Sequence, residues 1–160
     1  MKREDLKGLK LSNPLHFAAI GFGSGLPNKA PGTFGTIAAV PFYYFLSFLS
    51  IESYVAVLIV TSLLGFWFCH VASRDMGVHD HKAIVWDEFV GYWITMVAVP
   101  FSWQWALVGF LLFRFFDILK PWPISWLDRK MQGGFGIMID DIVAGLFSAA
   151  VLQVLIHFYG

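Results

Sequence analysis

Two adjacent acid pairs, Asp87-Glu88 in IVWDEFVG and Asp140-Asp141 in GIMIDDIVAG, sit at the mouths of segments otherwise apolar enough to enter a lipid bilayer. An ionised carboxylate beside hydrocarbon is costly unless it is paired, hydrated or bound to metal, so two such pairs mark a functional site. Two further acids stand near basic residues, Asp80 in VHDHKAIVWDE and Asp117 in FRFFDILKPWPI. A single acid in the first turn of a helix needs no more explanation than capping free N–H groups and matching the helix dipole. Two consecutive pairs with two more acids point instead to shared metal binding. Oxygen-only ligands suit a hard cation, with Mg2+ favoured where carboxylates meet a phosphate. His79 and His81 are two residues apart in a polar stretch, where solvation or hydrogen bonding competes with transition-metal binding.

Chemistry on a phosphate also needs positive charge and N–H donors. Arg114 and Asp117 are i,i+3 neighbours at a helix end that Pro121 and Pro123 terminate just past Lys120. They form either a simple ion pair at that end or a cationic site in which Arg114 and Lys120 face a phosphate while Asp117 helps hold the metal. The glycine-rich stretch 21–36, GFGSGLPNKAPGTFGT, can form an anion-binding nest with Ser24, Thr33 and Thr36 as hydroxyl donors, or a structural turn before the first helix. It lacks the Gly-Lys-Ser/Thr ending of a P-loop and the strand context of a dinucleotide site. Lys29 beside it is either an anion contact or a surface charge.

The elements that position these residues follow from composition. With 58% apolar residues, 14% charged and a mean hydropathy of +0.66, the 160 residues are too apolar for an ordinary soluble domain. The expectation is one all-α domain over 1–160, an integral membrane bundle of about five segments at roughly 34–50, 53–72, 89–101, 104–116 and 137–159. The third and fourth are short and form a helical hairpin within 89–116; the first carries Pro41 and can kink there. Lys and Arg, Lys29 apart, occur only in the N-terminal tail, in 73–88 and in 114–130, which by the positive-inside rule predicts an N-in bundle with the acids at the cytoplasmic face. Lys2, Arg3, Lys7 and Lys10, interleaved with Leu6, Leu9 and Leu11, read as a surface helix or a solvated tail. Trp86, Trp93, Trp122 and Trp126 read as an interfacial belt or as the lining of an acyl entry. The zero net charge gives no ground for a nucleic-acid partner, and the lone Cys69 reads as a packed small hydrophobe.

Spacing ties the acids to helix packing. Asp87 with Gly91, Asp141 with Gly145, and Asp140 with Ala144 are i,i+4 neighbours, and small residues there let another helix approach closely. Adjacent helical residues point about 100° apart, so one acid of each pair is expected to face the ion and the other to support it.

The motifs GFGSGLPNKAPGTFGT, HDHKAIVWDEFVGYWI, FRFFDILKPWPI and GGFGIMIDDIVAG, in that order and spanning nearly the whole chain, resemble those of the phosphatidylglycerophosphatase A family. The resemblance implies a bacterial inner-membrane, Mg2+-dependent phosphatase acting on phosphatidylglycerophosphate, a membrane lipid, to give phosphatidylglycerol. Carried over by motif, it implies Gly21, Gly23, Gly25, Gly32 and Thr33 at the phosphate, with Arg114 and Lys120, and Pro31 as a further functional position of the motif. Asp80, Asp87, Glu88, Asp117, Asp140 and Asp141 become the catalytic acids, and Asp87, Glu88, Asp140 and Asp141 the metal ligands. The chain has no motif for a cysteinyl-, aspartyl- or histidine-linked phosphate route, which leaves direct attack by water. The rival reading is a divalent-cation transporter or channel using the same carboxylates; the sequence leaves oligomeric state open.

Overall fold

Long apolar segments without a polar stripe favour helices, because a helix satisfies its backbone groups internally where water is absent. In the computed structural model, which describes residues 6–78 and 80–160, the described residues form seven α-helices and no strand. In order they are α1 (Pro14–Ala19), α2 (Pro31–Leu46), α3 (Ile51–Met76), α4 (Trp86–Thr95), α5 (Trp103–Leu119), α6 (Ile124–Lys130) and α7 (Gly133–Tyr159). A 3₁₀ turn at Gly21–Gly23 follows α1. Ser50 and Ser102 cap α3 and α5 by accepting the N–H groups of Ser53 and Trp105, and left-handed Gly77 ends α3.

The five expected segments correspond to α2, α3, α4, α5 and α7. Helices α3 and α7, of 26 and 27 residues, are the two long and apolar enough to cross a membrane. Apolar side chains on both, such as Ile59, Leu63 and Val154, are exposed. Helix α2 runs unbroken through Pro41. The pair α4 and α5 occupies the hairpin region, although α4 already starts at Trp86 and α5 continues to Leu119.

Helix α4 is the centre of the bundle. Nine of its ten residues are buried, Asp87 being half-buried, and it packs against α7, α2, α3 and α5. Its closest crossing is with α7. A Cβ at Gly145 would lie 2.5 Å from the Gly91 carbonyl oxygen, and one at Gly91 2.5 Å from the Phe113 ring. The small residues four positions beyond the acid pairs are therefore where the two acid-bearing helices meet, which fixes the spacing of the acids themselves.

Three expectations change. Helix α7 begins at Gly133, so Asp140 and Asp141 lie two turns inside it rather than at its mouth. The reason is packing: Gly134 lies against the Phe66 carbonyl and the His70 N–H of α3, an approach any side chain would block, so a stretch that reads as loop is held helical. Trp86 and Trp93 are buried, not interfacial; their indole N–H groups donate to the carbonyls of Thr61 at 3.1 Å and Ala39 at 3.0 Å. Trp122 and Trp126 are exposed. Lys2 and Arg3 lie outside the described residues, while residues 7–13 form turns rather than a surface helix. That segment is pinned where the Lys10 N–H donates to the buried His16 Nδ1 at 3.0 Å and His16 Nε2 meets Asp75 at 3.1 Å. Cys69 is fully buried, as a packed hydrophobe.

Overfilling the crossing has a defined cost. Gly145→Val is expected to lower stability by about 1–3 kcal/mol, read as an earlier thermal unfolding transition in detergent than that of Leu146→Val, whose side chain is exposed.

Candidate active site

Five parts of the chain converge at one end of the bundle. The first turn of α4 brings Asp87 and Glu88, the last turn of α5 Asp117, and α7 Asp140 and Asp141. Arg114 lies one turn before the end of α5, and Lys120 is its C-cap. The connection from α3 to α4 adds Asp80 and Lys82, and Ala30, Pro31 and Gly32 come from the start of α2. Together with Ile84 and Ile137 they line a cavity of about 250 Å³. All six expected acids are there.

The adjacent acids diverge, as the turn per residue requires. Asp141, Glu88 and Asp117 each place one carboxylate oxygen within 4.8 Å of the others. Asp140 points instead to Lys120, whose Nζ donates to it at 2.5 Å and to Asp128 at 2.7 Å. Glu88 accepts from the Thr36 hydroxyl at 3.0 Å and from Arg114 Nη1. The same Nη1 lies 2.6 Å from Asp117, so the guanidinium ties α4 to the end of α5. Burial works against the Lys120 ammonium, but Asp140 and Asp128 outweigh it and hold its pKa well above the ordinary lysine value.

Among the described residues, the lining carries six carboxylates against three cations, Lys82, Arg114 and Lys120. Protein partners leave part of it unsatisfied: Asp87 Oδ1, Asp140 Oδ1 and Asp141 Oδ2 are buried with no hydrogen-bond partner. Orphaned carboxylate oxygens around an excess of negative charge suit a hard divalent cation, and among the described residues the donor set holds no thiolate or imidazole that would favour a softer one. A Cβ at Gly32 would fall onto the Glu88 carboxylate, so the start of α2 can close over the acids only as glycine.

The rest of the glycine motif lies apart from this cavity. Gly21 packs on Phe89, Gly25 on the Ala83 backbone, and neither they nor Gly23 and Thr33 belong to the lining. The Ser24 hydroxyl donates to the Gly21 carbonyl at 2.8 Å. Lys29 is exposed, and Thr36 serves Glu88 rather than facing the cavity. His81 is buried, its Nδ1 accepting the Ala83 N–H at 3.1 Å, and His79 lies outside the described residues. Sequence reasoning missed Lys82 and Ala30 as lining residues. Lys82, five residues before Asp87, was within reach of a charge-pattern argument. The left-handed backbone of Ala30 (φ 49°) had no such signal, and Lys120 shares it (φ 42°). A non-glycine residue held there is strained; of the four such residues among those described, Ala30 and Lys120 are on the cavity wall, whereas Phe22 and Ala98 are not.

The Arg114 link makes a direct prediction. Arg114→Met, which leaves Glu88 and Asp117 facing each other without it, is expected to cost about 3–5 kcal/mol of stability. Arg114→Met combined with Glu88→Gln should recover part of that loss in the same thermal-unfolding measurement.

The family model described as phosphatidylglycerophosphatase A matches residues 17–156. The chain is 53% identical to phosphatidylglycerophosphatase A of Escherichia coli over 150 residues, covering 93% of this chain and 87% of the relative. It is 50% identical to phosphatidylglycerophosphatase A of Haemophilus influenzae over 149 residues, covering 92% and 91%. No solved structure is significantly similar to it.

Proposed function

The chain belongs to the phosphatidylglycerophosphatase A family, and on that premise we propose that it hydrolyses the terminal phosphomonoester of phosphatidylglycerophosphate, with Mg2+, to phosphatidylglycerol and inorganic phosphate. The observation that carries the reading is the cavity itself, an acid-rich pocket with three cations on its wall at one end of an apolar bundle. A lipid phosphomonoester reaches such a site with its acyl tails still in the membrane.

Glu88, Asp117 and Asp141 are the residues we assign to the metal. When bound there, Mg2+ supplies Lewis-acid polarisation of the phosphate and acidification of water. Arg114 and Lys120 bring fixed positive charge to the non-bridging phosphate oxygens as the bond to the glycerol oxygen breaks. Asp140 and Asp128 keep Lys120 protonated and hold its ammonium at the wall. Thr36 and Arg114 fix the orientation of Glu88. Of the three carboxylates with a buried oxygen free of partners, Asp140 is held by Lys120 and Asp141 is assigned to the metal, so we assign to Asp87 the acceptance of a proton from the attacking water. The water oxygen forms the new bond to phosphorus as the bond to the glycerol oxygen breaks, and the proton taken up by Asp87 is returned to the leaving glycerol oxygen, so that the carboxylate is regenerated.

We place the chain in the bacterial inner membrane as a multi-pass, N-in protein with the cavity facing the cytoplasm. The two long apolar helices, the bacterial relatives and the clustering of Lys and Arg at the cavity end support that placement. A transporter would need charge along a path through the bundle, whereas the stretch 53–72 of α3 has no charged residue and the acids gather at one end.

Purified protein is expected to release phosphate from phosphatidylglycerophosphate with Mg2+ and to stop when the metal is chelated. Absence of release with any divalent metal would sink the phosphatase reading. The unsubstituted protein is expected to unfold at a higher temperature with Mg2+ than without it, and Asp141→Asn to abolish that rise and to lower turnover by more than about a hundredfold. Full turnover in Asp141→Asn, or an unchanged Mg2+ shift, would remove Asp141 from the metal site.

A further inference from the structure

Helices α2 and α5 both carry the cavity wall at one end, at Gly32 and Arg114, and then run side by side away from it. Between them, outside the cavity, lies an open groove of about 340 Å³ lined by Ile37, Val40, Trp103, Ala106, Leu107 and Phe110. None of these residues carries a charge. Its near end starts one helical turn from the cavity: Phe110 is four residues from Arg114 and Ile37 five from Gly32, or about 6–8 Å along each axis. Its far end, at Trp103, is eleven residues from Arg114, about 16 Å along α5. That is about half of a 30 Å hydrocarbon core, the depth of one leaflet.

We propose that this groove is the binding site for one fatty acyl chain of the substrate lipid, seated while the phosphate occupies the cavity. The proposal rests on the phosphatase reading above and goes beyond it by assigning the lipid tail. Three observations fix the occupant. The groove is apolar throughout, it begins where the charged wall ends, and its length matches one leaflet measured from the phosphate. The tail then contributes to binding and registers the headgroup in the cavity, and the loss of groove contacts appears in KM rather than in kcat.

A second groove provides the control. It lies between α3, α4 and α7, is lined by Leu58, Ile59, Leu63, Ile94, Val97 and Leu146 among others, and has a volume of about 410 Å³. It is apolar too, but most of its wall comes from α3, a helix that gives no residue to the cavity lining.

The experiment compares long-chain and dihexanoyl phosphatidylglycerophosphate in mixed micelles. It uses the unsubstituted protein, two variants that fill the first groove (Val40→Trp and Leu107→Trp), and Leu63→Trp in the second. Leu107 and Leu63 are both exposed, so neither substitution forces the core. The expected result is a KM for the long-chain lipid raised about tenfold in the first-groove variants, equivalent to a few lost methylene contacts. Their kcat should be little changed, their turnover of the dihexanoyl lipid normal, and Leu63→Trp should leave both substrates unaffected. Equal effects of Leu107→Trp and Leu63→Trp, or a parallel loss on the dihexanoyl lipid, would overturn the acyl-site assignment. Failure of the unsubstituted protein to hydrolyse either lipid would instead overturn the phosphatase reading.

Discussion

The fold is organised around a concentration of negative charge that the protein does not neutralise by itself. Among the described residues, six carboxylates and three cations share one cavity wall, and three buried carboxylate oxygens have no partner. Burying such a set costs free energy that packing elsewhere must offset. Arg114 and Lys120 are the internal part of the answer, each joining acids from different helices: Glu88 and Asp117 through one, Asp128 and Asp140 through the other. These pairs bind α4, α5, α6 and α7 together, so the site's electrostatics also hold its frame.

The opposing requirement is close packing behind the acids. Helix α4 is short and nearly all buried, and it crosses α7 where Gly91 meets Gly145. Around it Trp86, Phe89 and Trp93 stack and tilt against one another and against Phe22, Phe42 and Phe68. Since the Trp86 and Trp93 N–H groups are bonded to backbone carbonyls of α3 and α2, the aromatic core sets orientation as well as filling space. An acid-bearing helix anchored in this way presents Asp87 and Glu88 in one fixed position.

Much of this could be read from the residues. The gathering of Asp80, Asp87, Glu88, Asp117, Asp140 and Asp141 followed from basic residues sharing their end of the segments, and the division of labour between Asp140 and Asp141 from the helical turn. The role of Gly91 and Gly145 followed from their i,i+4 spacing. What escaped depended on three-dimensional neighbours. Whether a glycine faces an anion or another backbone is the same letter in sequence, and here Gly32 adjoins the cavity whereas Gly21 and Gly25 serve packing. The start of α7 was hidden because the cause of its helicity, the α3 backbone beside Gly134, is over sixty residues away in the chain. Trp86 and Trp93 looked interfacial because apolarity alone cannot distinguish a lipid-facing aromatic from one facing another helix.

The unequal helix lengths carry a mechanical consequence. Helices α3 and α7, with 26 and 27 residues, are about 39–41 Å long, whereas α2 and α5, with 16 and 17, reach only about 24–26 Å. In a bilayer the long pair must tilt while the short pair draws the surrounding lipid thinner, since hydrophobic mismatch is relieved by tilt or by local thinning. On the membrane placement proposed above, that deformation would fall on the α2 and α5 side, where Gly32 and Arg114 line the cavity. A lipid arriving there has less hydrocarbon to cross, and the enzyme becomes sensitive to the thickness of the membrane that holds it.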